Sequence, residues 1–135
     1  MSAFPKGLGA ITLFADDLPR SKSFYQDGLG LQAVYEDDNS VVFDFGNTVI
    51  NLLKISEARG LIAPATVANR EAGSRFQLTI WVDDADAVCA ELAKRGVALL
   101  NGPMNRAWGM RTACFTDPDD NVWEIAQDLS KTPSS

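Results

Sequence analysis

The sequence predicts an α+β protein in which one module, a strand, a helix and then three strands, is written twice. Ala10-Ile11-Thr12-Leu13-Phe14-Ala15-Asp16-Asp17 and Gln77-Leu78-Thr79-Ile80-Trp81-Val82-Asp83-Asp84 share one plan, about half the chain apart. Each is an apolar strand-like run closed by two aspartates and followed by a helix pattern. A length of 135 residues with 46% apolar side chains is enough for one real core, whereas either half alone would be marginal. The expectation is one domain of two fused modules: module one about 7–55, a linker about 56–74, module two about 75–128, and a flexible tail over 129–135.

In module one, the first strand covers about Gly9 to Ala15. Asp17 is a good N-cap, and Leu18-Pro19 fall in the first helical turn, where proline is tolerated. The helix carries Phe24 and Tyr25 inward and stops near Gly28 and Gly30. Strands follow at Leu31 to Glu36, Val41 to Phe45 and Val49 to Lys54. A polar turn, Asp37-Asp38-Asn39, separates the first two, and Gly46-Asn47 is a two-residue hairpin signal between the others.

Module two repeats the order. After Gln77 to Val82, Asp84 caps a helix with Val88 and Leu92 on one face and Glu91 and Arg95 as an exposed pair. Gly96 ends it. Val97 to Leu100, Arg111 to Thr116 and Val122 to Gln127 read as strands, the last two joined by Asp117-Pro118-Asp119-Asp120 with proline at the second turn position.

Ser56 to Ser74 shows no clear period and reads as a linker or a lid. Asn101 to Gly109 reads as a second long loop, in which Trp108 either caps the edge of the core or forms a pocket wall. Cys89 and Cys114 lack metal-type spacing and read as core thiols; with no histidine in the chain, neither has an imidazole to activate it. The formal charge of -6 argues against nucleic acid or an anionic membrane as partner and favours a neutral or cationic small molecule. No run approaches the length of a membrane span, and Met1 to Lys6 lacks the apolar core of a signal peptide, so a cytoplasmic location is expected.

Strand alternation assigns faces. Trp123 and Ile125 belong under the helices, which leaves Glu124 on the opposite face. Asn51, flanked by Ile50 and Leu52, is its equivalent in module one. In the opening strands Ile11, Leu13, Leu78 and Ile80 match the core. The other face carries Ala10, Thr12 and Phe14, and in the repeat Gln77, Thr79 and Trp81. Ala10, Asn51, Gln77 and Glu124 are therefore expected to gather in a cleft walled by Phe14 and Trp81. If Asp117 pairs with Asp120, Ala113 opposes Glu124 and Arg111 shares Glu124's face, where it would neutralise that carboxylate or anchor an anionic group. A bulge in the turn would reverse this.

These residues together resemble the vicinal oxygen chelate superfamily, which includes glyoxalase I, bleomycin- and fosfomycin-resistance proteins and extradiol dioxygenases. The matching elements are Asp17-Leu18 with Ser21, Ser23, Phe24-Tyr25 and Leu29-Gly30; Val82-Asp83-Asp84; Gly96-Val97; and Trp108-Gly109-Met110-Arg111 leading to Asp117-Pro118-Asp119 and Asn121-Val122-Trp123-Glu124-Ile125. They span about Gly7 to Gln127. The resemblance implies two βαβββ modules forming a half-open, eight-stranded mixed sheet with helices on its outer face, commonly in a homodimer. It also implies that Ala10, Asn51, Gln77 and Glu124 stand where the metal enzymes place histidine and glutamate ligands.

Only Glu124 among those four is a good ligand, because alanine has no donor and neutral amides hold transition ions poorly beside imidazole. The leading reading is thus a metal-independent protein of the bleomycin-resistance kind that sequesters a small molecule and needs no cofactor. Trp81, Trp108 and Phe14 would supply stacking area; Gln77, Asn51, Thr12 and Thr79 polar contacts; Glu124 and Arg111 charge. The alternative is a glyoxalase-like lyase or a dioxygenase-type enzyme. It would hold a weakly bound divalent ion through Glu124 and Gln77, or use Glu124 alone as catalytic acid or base. A third reading is purely structural, with Trp81 and Trp123 both in the core.

Overall fold

Asp17, at the end of the first apolar run, starts the first helix as its position predicts: its carboxylate accepts the Arg20 N–H at 3.2 Å. Strand β1 (Ala10–Ala15) precedes it, and α1 (Leu18–Ser23) continues into a π turn over Phe24–Gly28. Then come β2 (Gln32–Glu36), β3 (Ser40–Asp44), β4 (Val49–Lys54) and α2 (Ile55–Ile62). The computed structural model describes residues 7–131, and the chain divides into two compact units between Asn69 and Arg70.

The first unit is one four-stranded sheet in the order β1-β4-β3-β2. β1 and β4 are parallel, with Leu13 beside Leu52, and β3 runs antiparallel to β4 with Phe43 beside Ile50. Leu13, Val41, Phe43, Ile50 and Leu52 are buried on one face. Tyr25 from the π turn covers that face, its ring 5.9 Å from Phe43 and edge-on to Phe24 at 5.2 Å. Each such fully buried side chain contributes about 1.5–3 kcal/mol of transfer free energy, so this aromatic group anchors the helix to the sheet.

The turns follow the local chemistry of the residues in them. Asp37 accepts the N–H groups of Asn39 and Ser40 and the Tyr35 hydroxyl, each at 2.8 Å; the Asn39 N–H is the main cause that holds its carboxyl below the usual range. Gly46-Asn47 closes the next hairpin through Phe45 N–H to Thr48 O at 2.9 Å, and Gly46 takes the left-handed φ of +93° that this turn requires.

The second unit holds β5 (Gln77–Trp81), α3 (Ala85–Lys94), β6 (Leu99–Asn105), β7 (Met110–Thr116) and β8 (Val122–Asp128), after a 3₁₀ turn at Arg70–Ala72. Its sheet order, β5-β8-β7-β6, repeats that of the first unit, and again the first and last strands are parallel. Asp84 caps α3 by accepting the Ala87 N–H at 3.0 Å. Trp123, Phe115, Ile125 and Ala113 form the core beneath Ala85, Cys89 and Leu92 of that helix. The eight expected strands are thus present as two open four-stranded mixed sheets of βαβββ design.

Three expectations change. Ser56 to Ser74 is not structureless, because α2 occupies its first part with Ala58 fully buried; a helix this short shows no full period in sequence. β6 runs on through Asn105, into what reads as a loop, because two register shifts let it pair around Gly102 and Pro103. Asp117 donates its N–H to Asn121 O at 3.0 Å, while Asp120, at φ +65°, only donates back to Asp117 O at 3.0 Å and is the extra residue of the turn. The end of the expected tail, 132–135, lies outside the described residues.

Gly102 is the tightest backbone approach. It has φ +79°, and a Cβ there would collide with the Thr112 carbonyl and lie 2.8 Å from Ala113 Cα. Gly102→Ala is expected to destabilise by about 2–4 kcal/mol. Gly60→Ala in α2, where nothing lies within 4 Å, is expected to stabilise by about 0.5–1 kcal/mol. Urea unfolding of the two variants checks both signs.

Candidate functional site

Parallel pairing of β5 with β8 sets Thr79 beside Glu124, and antiparallel pairing of β7 with β8 sets Cys114 on the other side of Glu124. Beyond Cys114 the same row ends at Asn101. This row lies on the face of the sheet away from α3. Thr79 Oγ1 donates to Glu124 Oε1 at 3.0 Å, and Gln77 Nε2 donates to Cys114 Sγ at 3.2 Å. Gln77 and Glu124 therefore share one face. The next row along the strands is Trp81, Ala126, Thr112 and Met104. Trp81 is 71% exposed, far above what a core tryptophan shows.

Cys114 is buried in this row, between the Gln77 amide and the Glu124 strand. Burial first, and the Glu124 carboxylate second, push its thiol up, against the Gln77 and Asn101 side chains and the charge of Arg106. The thiol stays protonated and is a poor nucleophile. Cys89, on the buried side of α3, is likewise raised by burial, and both cysteines are the buried thiols expected.

Arg106 was not singled out from the sequence, yet it joins this face. Its Nε donates to Thr112 Oγ1 at 2.9 Å, and its guanidinium carbon stands 5.9 Å from the Trp108 ring centroid. The two residues belong to one tight hairpin. Arg106 N–H donates to Met110 O at 2.7 Å, and Gly109 closes the turn at φ +87°. Trp108 is at the tip, 70% exposed, so it does not cap the core edge. The strand pairing that would have revealed Arg106 is hidden in sequence by the irregular register of β6.

Arg111 is a correction. Because the Asp117 turn carries the extra residue, Cys114 and not Ala113 opposes Glu124, and Arg111 pairs with Gln127 on the α3 side of the sheet. Its guanidinium grips Asp86 of α3, with Nη2 at 2.9 Å and Nε at 3.1 and 3.2 Å, while Nη1 donates to Asn105 Oδ1 at 2.9 Å. It neither neutralises Glu124 nor shares its face. Gln127 also belongs to α3, accepting the Ala85 N–H at 2.9 Å.

In the first unit the face away from Tyr25 carries the rows Thr12, Asn51, Val42 and Phe14, Leu53, Ser40, with Ala10 beside Val49. Asn51 Nδ2 donates to Thr12 Oγ1 at 3.4 Å, and its Oδ1 is buried with no hydrogen-bond partner. Phe14 is half-buried. A groove of about 510 Å³ outside α1, lined by Lys22, Glu36, Asp38 and Lys54 among others, is of another kind. There Lys22 donates to both oxygens of Glu36 at 2.8 and 2.9 Å, an exposed ion pair of little energetic weight.

The four positions where the resemblance expects metal ligands do not fit a transition ion. Ala10 offers no donor, Asn51 and Gln77 offer neutral amide oxygens, and Glu124 alone offers a carboxylate. Among the described residues, no group of three or more His, Cys, Asp or Glu side chains is placed to hold a metal.

The chain belongs to the Glyoxalase/Bleomycin resistance protein/Dioxygenase superfamily, whose sequence profile matches residues 7–125. It is 34% identical over 119 residues to the uncharacterized protein YraH of Bacillus subtilis (strain 168), covering 85% of this chain and 93% of that protein. Among solved structures, a glyoxalase/bleomycin resistance protein/dioxygenase from Nocardioides is similar with a TM-score of 0.85 at 18% identity, over 99% of this chain and 91% of the other. A lactoylglutathione lyase from Agrobacterium tumefaciens is similar with a TM-score of 0.74 at 20% identity, over 93% and 96%. At these identities the two structures establish the fold alone.

Asp86 supplies a test of the corrected geometry. The hydrogen bond from Arg111 is the main cause that holds its carboxyl below the usual range. The stability from this pair is therefore present above the unfolded carboxylate value and is lost as pH falls through the depressed folded one. Arg111→Gln is expected to raise the Asp86 midpoint, followed by NMR titration, and to leave binding at the Glu124 face within about twofold.

Proposed function

We infer that the protein binds and sequesters a small molecule without a metal, on the Glu124 face of the second sheet. The observation that carries this reading is Trp81. A large aromatic left 71% exposed, one row from a carboxylate that a hydroxyl orients at 3.0 Å, offers stacking area and a fixed charge together. Gln77 and Thr79 add polar contacts, and the donor set gives no support to metal chemistry. A cationic or neutral ligand suits this face: the ammonium of a ligand would meet Glu124 and its flat portion would lie on Trp81.

A homodimer in the cytoplasm completes the reading, in line with what is common in the superfamily; no helix among the described residues is long and apolar enough to cross a membrane. Among the described residues in the rows of Thr79 and Trp81 on this face, Glu124 is the one carboxylate, and the reading gives it a binding role.

Native mass spectrometry of freshly purified protein is expected to show a dimer without stoichiometric metal, and one bound divalent ion per chain would defeat the metal-free reading. Trp81→Ala and Trp108→Ala are each expected to weaken ligand binding measured by calorimetry while shifting stability by no more than about 0.5 kcal/mol, as befits exposed side chains. Glu124→Gln is expected to cost cationic ligands about tenfold in affinity and neutral ones little. Equal losses for both would remove the charge role.

A further inference from the structure

We propose that Arg106 is an anion-recognition site on the Glu124 face, so that the ligand is amphoteric: an acidic group for Arg106 and a basic group for Glu124, joined by a flat apolar portion. This rests on the reading of that face as a binding surface and narrows the class of ligand it takes.

Four observations carry it. Arg106 is half-buried, and its position is set from two sides, by the Nε hydrogen bond to Thr112 at 2.9 Å and by the Trp108 ring at 5.9 Å. Its two terminal amino groups make no hydrogen bond or ion pair among the described residues. Arg111 and Arg95, by contrast, are matched with Asp86 and Glu91. Thirdly, Thr112 stands on the Glu124 face, since it pairs with Ala126, two residues along β8 from Glu124. Arg106 and Glu124 both act electrostatically on Cys114, in opposite directions, which places the cation and the anion around the same thiol.

Thr112 and Glu124 are diagonal neighbours, about 7–8 Å apart. The two charges thus belong to neighbouring rows of one face with no ion pair joining them among the described residues, and Trp81 stands in Thr112's own row, across Ala126 from it. A planar guanidinium held at its Nε end presents the geometry that grips a carboxylate or a phosphonate in two hydrogen bonds. The net charge of -6 repels simple anions at long range, so an acidic group is admitted best on a molecule that also carries a positive charge.

The test uses four probes of one ring size: 4-(aminomethyl)benzoate, 4-methylbenzylammonium, 4-methylbenzoate and 4-methylbenzyl alcohol, titrated by tryptophan fluorescence and calorimetry. Wild type is expected to bind the zwitterion about tenfold or more tightly than the cation. Arg106→Gln should erase that preference, leave the cation within about twofold, and leave the alcohol unchanged; Arg106→Lys should retain part of it, and it stands in if the glutamine variant fails to fold. An Arg106→Gln protein that still prefers the zwitterion, or that loses all four probes equally, overturns the proposal. If the cation binds and Glu124→Gln weakens it while the zwitterion gains nothing from Arg106, the anion site falls and the binding face stands. If no probe binds wild type, both fall.

Discussion

Each unit depends on a parallel ladder between strands that the chain reaches far apart, β1 with β4 and β5 with β8. In the second, Thr79 lies beside Glu124 and Ile80 beside Ile125. Side chains alternate along a strand, so this register decides which residues enter the core. A slip of one residue would turn Glu124 under α3 and bring Trp123 out. An unpaired carboxylate there would cost several kcal/mol, and the buried area of Trp123 and Ile125 would be forfeited. The core therefore holds the site in place: the same alternation that buries Trp123 aims Glu124 at the other face.

On that scaffold the chemistry of the site can vary without disturbing the fold. Ala10, Asn51 and Gln77 lie on the faces opposite Phe43, Ile50, Phe115 and Ile125, so the side chains at these positions take no part in that packing. The amides turn to hydrogen bonding, Asn51 toward Thr12 and Gln77 toward Cys114. Glu124 accepts a hydrogen bond from the Thr79 hydroxyl. A face with one carboxylate, an exposed indole and neutral polar groups suits the binding role proposed above better than a metal-centred reaction.

The two arginines of β7 and its hairpin show how one residue's difference in register changes a role. Arg111 pairs with Gln127 and therefore serves the helix side, where Asp86 and Asn105 engage its guanidinium. Arg106 lies across from Met110 at the hairpin mouth and turns toward Thr112, on the side of Glu124. The first arginine stabilises the docking of α3 on its sheet. The second keeps donor capacity that the fold leaves unused.

Much of this was legible in the sequence. The doubled order of elements, the caps at Asp17 and Asp84, the Gly46-Asn47 hairpin and the core faces of β1, β4, β5 and β8 all follow from local propensity and strict alternation, which act over a few residues. The common face of Gln77, Thr79 and Glu124 follows too, because those strands are regular. What only the tertiary structure decided are the places where alternation is interrupted. The extra residue at Asp120 moves Arg111 to the far face, the shifts around Gly102 extend β6 and deliver Arg106, and burial of Ala58 stabilises a helix too short to announce itself. A bulge reverses every assignment beyond it, and its presence is settled by hydrogen-bond partners distant in sequence.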